Sequence, residues 1–90
     1  MKVLLIGLGT VGEAVARLSA GKPWLEQMVL ADHDLEHARE LAAEVGDSTS
    51  HPTAFIDASD TGAVEALARQ YDVDLVMNAV DPRFVMPVFL

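Results

Sequence analysis

Met1-Lys-Val-Leu-Leu-Ile-Gly-Leu-Gly-Thr-Val-Gly12 is the stretch that decides the fold of this 90-residue chain. Its apolar run over residues 3–6 is unbroken, which is typical of a strand buried on both faces of a parallel sheet. The run passes directly into the pattern Gly7-x-Gly9-x-x-Gly12, and Gly12 opens a segment whose apolar residues have helical spacing. A strand, a glycine-rich turn and a helix in this order predict a dinucleotide-binding unit.

Each of the three glycines has a physical reason in such a unit. Gly7 makes the tight turn, Gly9 lets a pyrophosphate approach the backbone closely, and Gly12 lets the helix lie against the strand. The amides of Thr10, Val11 and Gly12 then lie at a helix N-terminus, where unpaired N–H groups and the helix dipole favour an anion. The turn is therefore predicted to hold the pyrophosphate of a dinucleotide.

A carboxylate stands where the ribose of that dinucleotide is expected. A second apolar run, residues 27–31, ends at Asp32, about 20 residues beyond the glycine pattern. A carboxylate there accepts hydrogen bonds from both hydroxyls of the adenosine ribose and repels a 2′-phosphate, which favours NAD over NADP. The alternative is structural, because Asp32 also begins the turn Asp32-His33-Asp34 and is placed to cap the next helix.

Two cations near Asp32 keep NADP open as the cofactor. His33 and Arg39 follow Asp32 closely enough in sequence to pair with a 2′-phosphate. Asp34 competes for His33, which weakens that route. The residues therefore favour NAD, with NADP as the second choice.

The composition indicates one compact domain and excludes several function classes. Hydrophobic residues make up 51% of the chain. The net charge of −8 disfavours nucleic acid and anionic membranes as partners, since both repel an acidic surface. The absence of cysteine excludes disulfides, a thiolate nucleophile and a cysteine metal site. His33, His37 and His51 do not have the spacing of metal ligands, so no metal site is predicted.

No targeting segment is predicted in these residues. The first strand begins within two residues of Met1, which leaves no room for a signal or transit peptide. No apolar run has the length of a transmembrane helix. We therefore expect a cytoplasmic location.

Helical and apolar segments alternate along the chain. Helices are predicted at about residues 11–20, 35–45 and 61–71, and strands at residues 3–6, 27–31, 53–56 and 75–80. The first helix is predicted to bury Val11, Ala14, Val15 and Leu18, and Ser59 or Asp60 is predicted to cap the third. This alternation predicts an α/β fold, a doubly wound, Rossmann-like parallel sheet with strand order 3-2-1-4.

Ligands of such a sheet bind beyond the carboxyl ends of its strands. Four groups of residues follow the strands at that edge, namely the glycine pattern, Asp32, Asp57-Ala58 and Asn78-Ala79-Val80. This convergence is independent of the glycine motif and agrees with it. Two of the groups also have local alternatives, since Asp57 is placed to cap a helix and Asn78 to satisfy nearby backbone groups.

Two prolines follow the fourth predicted strand. Pro82 blocks its continuation, and Pro87 suits the first turn of a fourth helix. A doubly wound domain normally continues into further strands, so residues 1–90 are expected to be an N-terminal dinucleotide-binding domain that lacks its substrate domain. The fourth strand then has an open edge, which predicts self-association, including a homo-oligomer.

Asn78-Ala-Val-Asp-Pro-Arg-Phe-Val-Met-Pro-Val-Phe89, preceded by Asp72-Val-Asp-Leu-Val-Met, resembles the N-terminal half of the saccharopine dehydrogenase-like oxidoreductases. That group includes saccharopine reductases and is similar to the carboxynorspermidine and homospermidine synthases. The resemblance covers essentially the whole chain. It implies a nicotinamide-dependent oxidoreductase that transfers hydride at a carbon–nitrogen bond of an amino acid or polyamine conjugate. In this family the substrate domain comes later in the chain, so no residue here is predicted to be catalytic.

The resemblance also implies which residues contact the cofactor. Gly7, Gly9, Thr10, Val11 and Gly12 would hold the pyrophosphate. Asp32 would contact the adenosine ribose, Asp57-Ala58 would border the adenine, and Asn78-Ala79-Val80 would lie near the nicotinamide-side ribose. One departure concerns cofactor choice. Several relatives carry a serine-arginine pair, which suits NADP, where this chain has Asp32-His33.

A second function class has the same glycine pattern and an acid at the Asp32 position. It comprises NAD(H)-sensing regulatory modules like those of potassium transporters, which bind the dinucleotide without catalysis. Such modules do not usually carry the Asn78-Ala-x-x-Pro82 pattern, which favours the enzyme.

Overall fold

A computed structural model of the chain describes residues 1–80 and the backbone of residues 86–89. The strands are β1 (Lys2–Ile6), β2 (Gln27–Asp32), β3 (Thr53–Phe55), β4 (Leu75–Asn78) and β5 (Met86–Phe89). The helices are α1 (Thr10–Ser19), α2 (Leu35–Val45) and α3 (Thr61–Gln70). In the part of the chain so described, no helix is long and apolar enough to cross a membrane.

The five strands form one sheet in the order β3-β2-β1-β4-β5. The first four strands are parallel, which confirms the predicted order 3-2-1-4 and the Rossmann-like fold. At the carboxyl edge, Ile6 of β1 is in register with Ala31 of β2 and with Asn78 of β4. The residues that follow these three strands therefore start from one line across the sheet.

The prediction of a fourth helix near Pro87 is wrong. Met86–Phe89 forms β5, which pairs antiparallel with β4 from Asn78↔Met86 to Leu75↔Phe89. The open backbone groups at the edge of β4 stabilise the apolar segment as a strand, and an edge strand tolerates the missing N–H of Pro87. Because β5 covers that edge, self-association through β4 loses its basis. The prediction for Pro82 falls outside the described residues.

The core lies on both faces of the sheet, as alternating strand residues require. On one face, α1 and α2 cover a cluster that includes Leu5, Leu8, Met28, Leu30 and Leu41. On the other face, α3 covers a cluster that includes Leu4, Ile6, Val29, Ala31 and Val76. The central strands are thus buried on both sides, as their unbroken apolar runs predict.

The predicted inward face of α1 is wrong in part. Its buried residues are Gly12, Ala16 and Ser19, whereas Ala14 is exposed and Leu18 is 74% exposed. Val11 and Val15 pack at the margin of the core. The cause is Gly12, where a Cβ would lie 1.9 Å from the Gly7 carbonyl oxygen. Close approach at this point rotates the helix so that the Gly12 face, and not the Leu18 face, lies against β1.

A buried histidine lies in the loop between α2 and β3. His51 is 3% exposed, and its Nδ1 lies 2.9 Å from the Ser50 hydroxyl. Its Nε2 is buried without a partner among the described residues. Burial lowers the pKa of His51 below its ordinary value of 6.5, although the charge of Asp47 acts in the opposite direction.

Acidification is therefore expected to lower the free energy of unfolding. As the pH falls below 6.5, the unfolded chain binds the His51 proton before the folded chain does, because the folded pKa is the lower one. This contribution is constant above that pH and is lost below it, by at most ~1.4 kcal/mol per pH unit. Urea unfolding on both sides of pH 6.5 measures the effect. His51→Gln should reduce the pH dependence of the free energy of unfolding. His33→Gln makes the same change at an exposed histidine and should retain the His51 contribution. An equal pH dependence for wild type and His51→Gln would contradict the assignment to His51.

Candidate dinucleotide-binding site

The glycine turn is held against the sheet by contacts that leave no room for a side chain at Gly7. Gly7 has φ +88°, a conformation that favours glycine, and its N–H donates to the Ala31 carbonyl at 2.9 Å. A Cβ on Gly7 would lie 2.9 Å from the Val80 nitrogen. A Cβ on Gly9, in contrast, meets nothing within 4 Å. Gly7 and Gly12 are therefore required by the fold, while the space around Gly9 is open.

The N-terminus of α1 differs from those of the other two helices. Asp34 caps α2 by accepting from the His37 N–H at 3.1 Å, and Asp60 caps α3 by accepting from the Ala63 N–H at 3.0 Å. Gly9 is the N-cap of α1, and within residues 1–80 no side chain caps that helix. The first amides of α1 have no intrahelical partners by geometry, so they can donate to an anion. This arrangement fits a pyrophosphate.

Asp32 lies beside this turn and is 7% exposed. Its Oδ2 accepts from the Leu8 N–H at 2.7 Å, and its Oδ1 accepts from the Asp34 N–H at 2.9 Å. His33 Nδ1 lies 3.0 Å from the same Oδ1. A carboxylate offers about four acceptor sites, so about one remains on Oδ2 for a ribose hydroxyl. Asp32 therefore begins the turn, as the structural alternative expects, and still has acceptor capacity for a ribose. The other half of that alternative is wrong, because Asp34 and not Asp32 caps α2.

Two adjoining cavities of about 280 Å³ each lie at this edge of the sheet. Both are lined by Gly7, Asp32, His33 and Val80. The glycine-turn cavity is also lined by Leu8, Gly9, Thr10, Val11 and Ala79. The Asp57 cavity is also lined by Ile56, Asp57, Ala58 and Ser59. Together they form one cleft, with the turn at one end and the residues that follow β3 at the other.

The sequence over residues 3–89 matches the family described as the saccharopine dehydrogenase NADP binding domain. The chain belongs to this family. The match confirms the resemblance predicted from the sequence and supports NAD(P) as the cofactor class. It also agrees with a cleft that combines the uncapped N-terminus of α1 with the carboxylate of Asp32.

A curated relative of this NADP-binding domain is carboxyaminopropylagmatine dehydrogenase from Synechocystis sp.. The two are 30% identical over 81 residues, which are 90% of this chain and 20% of the relative. The chain therefore spans about a fifth of the length of that dehydrogenase.

Most residues predicted for the cofactor site of this family member line the cleft, and Gly12, Asn78 and Arg39 do not. Gly12 lies beneath the turn, packed against Gly7. Asn78 lines a groove of about 580 Å³ beside α3, which shares Ile6 and Ala58 with the Asp57 cavity, and its Oδ1 accepts from the Val80 N–H at 3.0 Å. Asn78 therefore satisfies local backbone, as its local alternative expects. Arg39 lines another cavity with His51 and neither part of the cleft, so the structure does not bring it to the predicted ribose position.

The end of the cleft that follows β3 is acidic. The Asp57 carboxylate accepts from the Ser59 hydroxyl at 2.7 Å and from the Ser59 N–H at 3.0 Å. These hydrogen bonds hold the pKa of Asp57 below its ordinary value, with a smaller contribution from the charge of His33. Asp60 caps α3, so the capping alternatives for Asp57 and Ser59 are wrong. Asp57 is therefore an ionised carboxylate in the same cleft as Asp32.

One residue of the site has no signal in the sequence. His37, in the first turn of α2, places its Nε2 2.8 Å from the Leu8 carbonyl oxygen, within the glycine turn. A histidine three residues after a helix cap is unremarkable, and only the packing of α2 against the turn brings the two together. Among the described residues, no group of side chains could hold a metal ion.

Proposed function

We propose that this chain is the cofactor domain of a nicotinamide-dependent dehydrogenase that acts at a carbon–nitrogen bond of an amino acid or polyamine conjugate. Membership of the family supports the oxidoreductase class. The relative named carboxyaminopropylagmatine dehydrogenase supports an amine-containing conjugate as the substrate class. The bound nicotinamide would supply the hydride acceptor or donor, and the substrate would be held by a domain that this chain does not contain.

The observation that carries the proposal is the uncapped N-terminus of α1 beside a buried carboxylate in one cleft. In this proposal the first amides of α1 bind the pyrophosphate, and Asp32 accepts from the adenosine ribose. Asp57-Ala58 borders the adenine, and Ala79-Val80 lies towards the nicotinamide. The residues of this chain bind and orient the cofactor, and none of them transfers a proton or hydride.

An assay on the whole protein that carries this domain tests the reaction class. We expect reduction of NAD(P) with secondary-amine conjugates of amino acids or polyamines, and none with simple alcohols. The chain of residues 1–90 alone is expected to show no turnover while still binding the cofactor. Turnover by this chain alone would contradict the need for a substrate domain. The cytoplasmic location stays a prediction. A homo-oligomer also stays one, through a surface other than the edge of β4, which β5 covers.

The electrostatics of the cleft favour NAD over NADP. Asp32 and Asp57 line it together with His33, and Asp34 follows directly in sequence. The His33 side chain is 86% exposed, and its Nδ1 already lies 3.0 Å from Asp32 Oδ1. A 2′-phosphate would therefore have to compete with this carboxylate for His33. A 2′-phosphate would enter a region with more negative than positive groups, which is unfavourable.

We expect the chain to bind NADH about tenfold more tightly than NADPH, a difference of ~1.4 kcal/mol. The double substitution Asp32→Ser with His33→Arg introduces the pair that suits NADP and should reverse the preference. Arg39→Ala should leave the ratio unchanged, because Arg39 lines a different cavity. Calorimetric titration with both cofactors measures the ratio of their dissociation constants. This ratio does not change when a substitution weakens the binding of both cofactors equally. A wild-type preference for NADPH would contradict the proposed choice and assign the phosphate to His33.

A further inference from the structure

Four hydrogen bonds form a closed ring that passes through Leu8 of the glycine turn. The Leu8 N–H donates to Asp32 Oδ2 at 2.7 Å, and the Asp34 N–H donates to Asp32 Oδ1 at 2.9 Å. The His37 N–H donates to Asp34 Oδ1 at 3.1 Å, and His37 Nε2 returns to the Leu8 carbonyl oxygen at 2.8 Å. The ring thus joins the turn to the end of β2 and the start of α2, and back to the same residue of the turn.

The last bond of the ring defines what His37 does chemically. The Leu8 carbonyl only accepts hydrogen bonds, so His37 Nε2 carries the proton. The His37 side chain is half-buried, and its backbone N–H is held by the cap of α2. The imidazole is therefore a donor at a defined place, and is not a solvated surface group.

Leu8 lies between two glycines, whose backbones are flexible, so its own peptide groups need partners to have a defined orientation. Its side chain is 1% exposed in the core, and the ring holds both its N–H and its carbonyl oxygen. Because the peptide is planar and trans, a carbonyl held towards α2 directs the N–H of Gly9 away from α2. The orientation of the peptide at Gly9, the residue that lines the cleft and caps α1, is thereby set before any ligand arrives.

We propose that His37 is a positioning residue for dinucleotide binding, which holds the Leu8–Gly9 peptide in the orientation that the pyrophosphate needs. The inference rests on dinucleotide binding in this cleft and does not depend on the reaction class or on the choice between NAD and NADP. A preorganised turn binds more tightly because less conformational freedom is lost on binding. Without His37 the Leu8 carbonyl loses its hydrogen bond, so the ligand has to supply part of the ordering of the Leu8–Gly9 peptide on binding.

Three substitutions in the chain of residues 1–90 test the role of His37. His37→Leu removes the donor. His37→Gln retains an N–H at about the same distance from the backbone. Glu40→Leu makes the same apolar change at an exposed position of the same helix and is the control. Titration with NADH and with NADPH gives the dissociation constants, and thermal unfolding defines a temperature at which every variant is folded.

We expect His37→Leu to raise the dissociation constants of both cofactors about tenfold, as the loss of one partly buried hydrogen bond predicts. His37→Gln should stay within about threefold of wild type, and Glu40→Leu should equal it. A purely structural role would lower the melting temperature and leave the affinity of the folded protein unchanged; that result, or a failure of His37→Gln to restore affinity, would overturn the proposal. A wild-type chain that binds neither cofactor would remove the basis of the inference together with that of the proposed function, whereas binding by wild type and His37→Leu alike would overturn this inference alone.

Discussion

Replacing Gly9 with valine is expected to abolish dinucleotide binding and to leave the chain folded. Gly9 has φ −75° and ψ −160°, an extended conformation that valine adopts, and a Cβ there meets nothing within 4 Å. The fold therefore accepts the side chain. The proposed pyrophosphate does not, because the branched side chain would stand in the space through which it reaches the first amides of α1.

The expected loss of affinity is at least about a hundredfold, or ~2.7 kcal/mol, since several hydrogen bonds to a charged group are lost together. The cost to stability is small, about 1 kcal/mol or less, for a change at an N-cap that has no side-chain bond. Titration with NADH measures the first quantity, and thermal unfolding followed by circular dichroism measures the second.

Gly62→Val is the matched control for this substitution. Gly62 is exposed in α3 and lines neither cavity of the cleft, and a Cβ there lies no closer than 3.4 Å to Asp60 Oδ1. Its dissociation constant should equal that of wild type. Retained affinity in Gly9→Val would show that the pyrophosphate lies elsewhere and that the glycine turn serves only the fold.

Gly12→Ala is expected to have the opposite signature, a large loss of stability. The added Cβ would lie 1.9 Å from the Gly7 carbonyl oxygen and 2.9 Å from its carbonyl carbon. Both are backbone atoms at a turn with φ +88°, so they cannot give way as a flexible side chain does. Helix α1 has to move away from β1, which opens the packing of Ala16 and Ser19 behind it.

We expect Gly12→Ala to cost about 3 kcal/mol, which is a large part of the stability of a domain of this size. The melting temperature should fall by roughly 15 °C. Gly9→Ala introduces the same methyl group three residues earlier, where it touches nothing, and should change the free energy of unfolding by less than ~1 kcal/mol. A melting temperature of Gly12→Ala equal to that of Gly9→Ala would contradict the close packing of α1 on the turn.

The two glycines thus separate binding from folding within one motif. The sequence pattern assigns Gly9 to the approach of the pyrophosphate and Gly12 to the packing of the helix, and the open space around Gly9 and the contact beneath Gly12 agree with this division. The same holds for Asp32, whose ribose role and turn role are alternatives in the sequence. In the structure the Asp32 carboxylate accepts from the Leu8 N–H in the glycine turn and from the Asp34 N–H in its own turn. It also lies beside His33 and keeps an acceptor site for a ribose hydroxyl.

The parallel sheet and the cleft at its edge could be predicted because their causes are local. Unbroken apolar runs, helical spacing and the turn glycines act over fewer than about a dozen residues, and right-handed crossovers then leave one strand order. The positions of Asp32 and Asp57 follow from the ends of those strands. Asn78 ends a strand at the same edge, but its side chain turns to the Val80 N–H and to the groove beside α3.

By itself, the sequence determined the Rossmann-like order of elements, the glycine turn and the strand ends that form the cleft. Only the tertiary structure decided which face of α1 is buried, that residues 86–89 pair with β4 as a strand, and that His37 and Asp32 hold Leu8 from both sides. The physical reason is the range of the interactions. Asp32 and His37 reach Leu8 across 24 and 29 residues of sequence, and such contacts are chosen by how helices and strands pack, not by any periodicity within them.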